Sequence, residues 1–141
     1  MTSRSAPTAN LPISGETATT LLGALRVGIG AGGWIAPNLA ARAFAPGAVD
    51  APQAPFLVRI YGVRDVVLGA GMLASQGEAR RRWLVGGAVC DAADALAALL
   101  GARAGHLPGP VAALVTMPAL GGVALALIAL RDQGEEVPPT G

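Results

Sequence analysis

The chain of 141 residues contains no lysine, one cysteine and one histidine. All ten basic residues are arginine, and alanine, glycine and proline are abundant, which is typical of a GC-rich bacterial genome. The single Cys90 excludes a disulfide within the chain, and its apolar surroundings indicate a small buried residue. Because His106 falls in a predicted connection, haem and di-iron sites lack their usual ligands. We therefore predict no cofactor and no metal.

Charged residues are also scarce, at 13% of the chain, and the formal net charge is only +1. The one basic cluster consists of Arg80, Arg81 and Arg82. Nucleic-acid binding needs a more extensive basic surface than this. That class of partner is therefore excluded.

Apolar residues make up 52% of the chain, and the mean hydropathy is +0.53. They concentrate in four segments, each near the roughly 20 residues that cross a bilayer. The last segment carries no charge at all, whereas the helices of a soluble bundle show a polar stripe. The pattern predicts an all-α fold: a four-transmembrane-helix antiparallel bundle rather than a soluble one. The predicted spans are residues 17–36, 54–75, 83–102 and 107–130.

The remaining segments are polar or rich in proline. Residues 1–16 and 131–141 are predicted to be tails, and the proline-rich stretch between Pro37 and Pro55 contains a short interfacial helix at 39–44. The two tails and the connection 75–82 together contain five arginines, against Arg42 and Arg103 in the other two connections. Because positively charged loops stay in the cytoplasm, both termini are predicted to lie inside, in a multi-pass protein of the inner (plasma) membrane.

Charged residues fall at the midpoints of the first three spans. Arg26 lies in the first, Arg64 and Asp65 in the second, and Asp91 and Asp94 in the third. A charge near the bilayer centre costs about 2.5 to more than 10 kcal/mol, so each is expected to face a partner or a cavity. This cluster is the predicted functional site.

Helical geometry places Tyr61, Arg64 and Asp65 on one face of the second span. Together with Arg26, these residues are predicted to bind a ligand. Arg59 points elsewhere on the helix, but we include it because it can snorkel and because its charge balances those of the cluster.

The spacing Asp91-Ala-Ala-Asp94 places two carboxylates on one helical face, as in some Mg²⁺-dependent phosphate chemistry. It is similar to the start of the CDP-alcohol phosphotransferase signature. Ala95 stands where that family has glycine, and its two later aspartates are absent. We reject a metal site on that ground.

The run Arg59-Ile-Tyr-Gly-Val-Arg64-Asp65-Val-Val-Leu-Gly69, followed by Asp91 and Asp94, resembles small four-helix bacterial membrane proteins of the DoxX-like kind and related uncharacterised actinobacterial families. The resemblance covers about half of the chain. It implies a multi-pass membrane protein and no particular reaction.

Three functions are compatible with these patterns. In the first, the cluster binds a lipophilic small molecule or supports a membrane complex, for which the GxxxG spacing of Gly28 and Gly32 suggests a homodimer contact. In the second, the protein is an intramembrane isomerase or cyclase that uses Asp94 or Asp91 as general acid or base on a lipid-like substrate. Asp94 is favoured there because Asp91 is nearer the midpoint and the better ion-pair candidate. The third is a proton or ion pathway.

The predicted orientation can be tested with cysteine labelling. In a Cys90→Ala background, Gln76→Cys is expected to be inaccessible to an impermeant reagent added to intact cells. His106→Cys, in the connection predicted to lie outside, should react under the same conditions. Labelling at position 76 alone would reverse the orientation.

Overall fold

The computed structural model describes residues 13–44 and 51–135, with only the backbone described for 133–135. This part of the chain is helical throughout and contains no strand, so the predicted all-α class is confirmed. Residues 1–12 and 136–141 of the two predicted tails lie outside the described residues. The five helices are α1 (Gly15–Ile35), α2 (Pro37–Phe44), α3 (Ala54–Ala74), α4 (Gly77–Arg103) and α5 (Gly109–Glu135).

Short polar or proline-containing signals set the helix boundaries. Ser14 caps α1, because its side-chain oxygen accepts a hydrogen bond of 3.2 Å from the amide of Thr17. Pro37 begins α2 after the single residue Ala36 that follows α1, and Pro55 lies in the first turn of α3. Gly77, the first residue of α4, adopts a φ of +53°, a conformation that glycine adopts without strain.

Three predicted boundaries need correction. The expected connection 75–82 is reduced to two residues, because Glu78, Ala79 and the arginines that follow are good helix formers and extend α4 toward the N-terminus. Helix α1 includes residues 15 and 16, and α5 continues through 131–135, both of which were predicted as tail. Arg80, near the start of α4, contacts the ends of two other helices. It donates to Glu16 Oε2 at the start of α1 at 2.9 Å and to the carbonyl of Ser75, just after α3, at 2.7 Å.

The four long helices pack so that α1 contacts α3 and α5, and α4 contacts α5 and α3. Neighbouring helices run antiparallel. Gly23 of α1 lies against Leu73 near the end of α3, whereas Gly33 lies against Val58 near its start. In the same sense, the amide of Gly15 at the start of α1 donates to Asp132 near the end of α5.

The contact between α1 and α3 depends on two facing glycines. A Cβ atom at Gly62 would lie 2.7 Å from the carbonyl oxygen of Gly30, which is closer than real Cβ contacts allow. The two backbones therefore approach each other closely enough for the side chains farther along both helices to meet. Small residues commonly serve this purpose between membrane helices.

The apolar core lies toward the end of the molecule where α1 and α4 begin. Met72 and Leu84 are fully buried there. They pack with four other buried apolar side chains from α1 and α5, namely Ala18, Leu22, Ala126 and Ala129. The opposite end, which carries α2 and the connection between α4 and α5, contributes no large side chain to this core.

Two helices are long and apolar enough to cross a membrane, α4 and the segment Gly109–Asp132 of α5. Helices α1 and α3 do not meet that description. In α3 the charged residues Arg59, Arg64 and Asp65 lower the hydropathy, and in α1 the many glycines and Arg26 do so. Composition therefore supports two of the four expected spans.

The close contact of α1 and α3 yields a prediction with a built-in control. Gly62→Ala is expected to lower thermal stability, because the new methyl group would force the backbones apart at a typical cost of about 1 to 3 kcal/mol. Gly28→Ala changes the same residue type on α1 where nothing lies within 4 Å, so it should be neutral or slightly stabilising. Thermal unfolding of the purified variants measures both. Equal stability of the two variants would show that the close approach is not required.

Candidate functional site

Arg26 forms the centre of the buried charged cluster. Its side chain is 6% exposed, and its guanidinium group bridges two helices. Nη1 donates to Asp65 Oδ1 of α3 at 2.8 Å, and Nη2 donates to Asp91 Oδ2 of α4 at 2.5 Å. Nη2 also lies 3.3 Å from the carbonyl oxygen of Gly87, which completes its contacts with α4. One arginine therefore connects α1, α3 and α4.

Arg64 of α3 forms a second ion pair with α4, with Asp94, three residues after Asp91. Its two Nη atoms donate to the two carboxylate oxygens of Asp94 at 3.1 and 2.6 Å, the parallel geometry that makes arginine–carboxylate pairs strong. The same guanidinium lies 3.8 Å from Asp65 Oδ1, which links the two pairings into one network. The ring of Tyr61, with its centroid 5.0 Å from the guanidinium carbon, packs against it as a cation–π contact.

The structure thus brings together the five charged residues expected at the midpoints of the first three spans. The contacts of Asp94 and Asp91 differ from the expectation that Asp91 is the better ion-pair candidate. Asp94, which we favoured as an acid or base, is held at both oxygens by Arg64, while Asp91 pairs with Arg26. Both aspartates are therefore ion-paired, and the sequence argument that separated their roles is not supported by their contacts.

Arg59 is separate from this network. It is exposed on α3, and it is not among the residues that line the cavity described below. Its position five residues before Arg64 turns it about 140° around the helix. The expected charge balance therefore does not hold locally: two arginines face three aspartates, and the network has a formal net charge of −1.

Helix α5 contributes a surface of small residues that the sequence analysis did not identify. Gly122 lies directly against the carboxylate of Asp91, so that any side chain there would displace it. The stripe is recognisable in the sequence as small residues at a helical period, each of them buried: Ala119, Gly122, Ala126 and Ala129. The segment also has no charged residue, so its hydropathy is a stronger sequence signal than this spacing.

A cavity of about 690 Å³ adjoins the network. Its charged wall consists of the five residues of the network, and Tyr61 lies beside them. The other lining side chains are apolar or glycine and come from all five helices. Representative members from each helix are Ile29, Phe44, Val58, Ala98 and Leu114.

The cavity extends from the charged network toward the end of the molecule that carries α2. Along α1 it is lined from Leu22 to Gly33, and its far part includes Phe44 of α2 and Leu107 of the connection between α4 and α5. The distance from Arg26 to Gly33 along the helix is about 10 Å. The opposite end is filled by the core around Met72 and Leu84, so the space is a pocket with one packed end.

Six of the seven predicted site residues line this cavity: Arg26, Tyr61, Arg64, Asp65, Asp91 and Asp94. Arg59 is the exception. In the residues that the structure describes, no three histidine, cysteine or acidic side chains are arranged to hold a metal ion. The Nε atoms of Arg26 and Arg64 are buried and have no hydrogen-bond partner, so neither guanidinium uses all of its donors.

Comparisons with protein-family models, with curated proteins and with solved structures found no match. The site is therefore interpreted from its own geometry.

A double-mutant cycle tests the pairing of Arg64 with Asp94. Arg64→Leu should leave Asp94 without its partner, and Asp94→Leu should leave Arg64 with only the 3.8 Å contact to Asp65, so the double variant should be more stable than the sum of the two single losses predicts. Neighbouring ion pairs typically show coupling energies of about 0.5 to 3 kcal/mol. The exposed pair Glu78 and Arg82 on α4 is the matched control and should show almost no coupling. Additive losses in both cycles would contradict the buried pairing.

Proposed function

We propose that this protein is a multi-pass membrane protein whose four long helices all cross the bilayer, and that its cavity binds a lipophilic small molecule with a polar group at the Arg26–Asp65–Asp91 network. One observation carries the proposal. The arginine and aspartate side chains of the network line a cavity between the helices, while many large apolar side chains lie exposed on the outer faces of the helices. A water-soluble protein has the opposite arrangement.

The outer surface supports the membrane part of the proposal. Val89 is 63% exposed, Met117 is 68% exposed and Trp34 is 51% exposed, one on each of three different helices. Helix α3 presents a similar surface through Phe56, Ile60 and Val67. Soluble monomers rarely expose such extensive contiguous apolar surface, which is ordinary for helices in contact with lipid.

The charges in α1 and α3 do not prevent these helices from crossing a bilayer. Arg26 and Asp65 neutralise each other inside the molecule, and Arg64 is held by Asp94. A paired charge that faces neighbouring helices avoids most of the cost of contact with hydrocarbon. Arg59, which is exposed, lies nearer the start of α3, where a long side chain can reach the membrane surface.

Helix α2 fits an interfacial position at the mouth of the cavity. Ala41 is buried against the other helices, whereas Arg42 on the neighbouring position is exposed. Short amphipathic helices of this kind lie in the plane of the membrane surface. We place this end outside the cell and both termini in the cytoplasm of a bacterial inner membrane, as the arginine distribution and the resemblance to DoxX-like proteins imply.

The dimensions and walls of the cavity support small-molecule binding. Its volume of about 690 Å³ lies within the roughly 300 to 1,000 Å³ of ligand pockets, which are mostly apolar and contain a few convergent polar groups. The apolar walls would hold the body of the ligand. The charged network at the inner end would hold its polar group.

A photoreactive probe tests this function. We would reconstitute the protein in nanodiscs of zwitterionic lipid and use a twelve-carbon alcohol that carries a diazirine, whose sites of attachment are mapped by mass spectrometry. Labels are expected inside the cavity, on peptides that contain Ala98, Leu114 or Ala119. Filling the cavity with Ala98→Leu should reduce this labelling several-fold.

Ala93→Leu is the matched control, because Ala93 is exposed on the same helix and does not line the cavity. It should leave the labelling unchanged. Labels confined to outward-facing residues, with no effect of Ala98→Leu, would reject the proposed binding function.

A further inference from the structure

The charged network contains three aspartates but only two arginines, so one negative charge has no positive counterpart. Arg26 and Arg64 face Asp65, Asp91 and Asp94, and no other charged side chain is among the cavity-lining residues that the structure describes. Arg59, which would supply the missing positive charge, is directed away from the cavity. An uncompensated charge in an apolar environment is costly, so either a proton or a cationic ligand is favoured at this position.

Two carboxylate oxygens in the network remain available to such a partner. Asp65 accepts its hydrogen bond at Oδ1 and Asp91 accepts its own at Oδ2. The second oxygen of each accepts no hydrogen bond from the described residues, and neither appears among the fully buried unpartnered atoms. Asp91 is only 7% exposed and lines the cavity, so its free oxygen has little access to anything except the space of the cavity.

The carboxylates that carry these two oxygens lie against the same guanidinium. Asp65 accepts from Nη1 of Arg26, Asp91 accepts from Nη2, and both residues line the cavity. A protonated amine matches this arrangement, because an ammonium group has three donors, no acceptor and one positive charge. A carboxylate or phosphate would add negative charge to a site that already has an excess of it.

We propose that the ligand of the cavity is a lipophilic monocation, a protonated amine with an apolar body, whose ammonium group donates to Asp65 and Asp91. This inference rests on the proposed binding function and specifies the chemical class of its ligand. The ammonium neutralises the network, and the apolar body extends from Arg26 toward Phe44 and Leu107. Neutral and acidic molecules of the same shape bind less well.

Competition against the photoreactive alcohol tests the choice of ligand. Dodecylamine, dodecanol and dodecanoate have the same chain and differ in the charge of the head group. In nanodiscs at neutral pH, dodecylamine is expected to abolish cavity labelling at a concentration at least about tenfold lower than dodecanol, as is typical of a charged hydrogen bond in a partly buried site. Dodecanoate should be the weakest competitor.

Asp65→Asn provides the specific variant, because it makes the network neutral and keeps an oxygen that can accept from Arg26. The advantage of dodecylamine over dodecanol should then disappear. Glu78→Gln removes the same charge at an exposed position at the start of α4 and should retain the advantage. If Asp65→Asn does not fold, Asp91→Asn removes an equivalent charge and should give the same result.

The outcomes separate this inference from the function on which it rests. Cavity labelling that dodecanol and dodecylamine displace equally would overturn the choice of a cation and leave the binding function intact. An amine advantage that persists in both Asp65→Asn and Asp91→Asn would also overturn it, because the preference would then arise from the lipid bilayer. Absence of any cavity labelling would overturn both.

Discussion

The bridge that Arg26 forms between Asp65 and Asp91 is the interaction on which the rest of the structure depends. A single guanidinium with two Nη groups satisfies carboxylates from two other helices, and its contact with the Gly87 carbonyl brings it against the backbone of α4. Because a charge without a partner is expensive in apolar surroundings, the three helices have one favourable register relative to each other. Any slide of one helix would separate a pair.

The small residues around this bridge make its short distances possible. Gly30 and Gly62 bring α1 and α3 together, and Gly122 leaves room on α5 for the carboxylate of Asp91. Glycine and alanine lower the apolar surface that a helix can bury, so such helices gain little from side-chain packing alone. Close backbone contact and internal ion pairs replace that contribution.

The molecule is divided along its length into a packed half and a half that contains a cavity. Met72 and Leu84 fill the end where α1 and α4 begin, whereas Phe44 and Leu107 border an open space at the other. The charged network lies at the boundary between the two halves. The network therefore adjoins packed apolar side chains on one side and the cavity on the other.

Much of this could be predicted from the sequence, because hydropathy and local signals depend on residues that are near one another in the chain. The all-α class, the positions of the four long helices and the short helix α2 follow from apolar runs, prolines and caps. The level at which Arg26, Arg64 and Asp91 meet follows from their places within those runs, since rise per residue is constant in a helix. The helix α4 begins earlier than the predicted connection 75–82 implies, because the arginines in that connection are good helix formers.

Only the tertiary structure decided which charges pair, because pairing depends on the rotation of each helix about its axis and on which helices are neighbours. In the structure Arg26 pairs with two aspartates and Arg64 pairs with Asp94, whereas Arg59 lies outside the network. The six charges balance in the sequence, but the network itself therefore has an excess of one negative charge. Helix α5 entered the site through Gly122 and not through any charged residue. The cavity likewise arises from space that five helices leave between them, and no segment of the sequence encodes it alone.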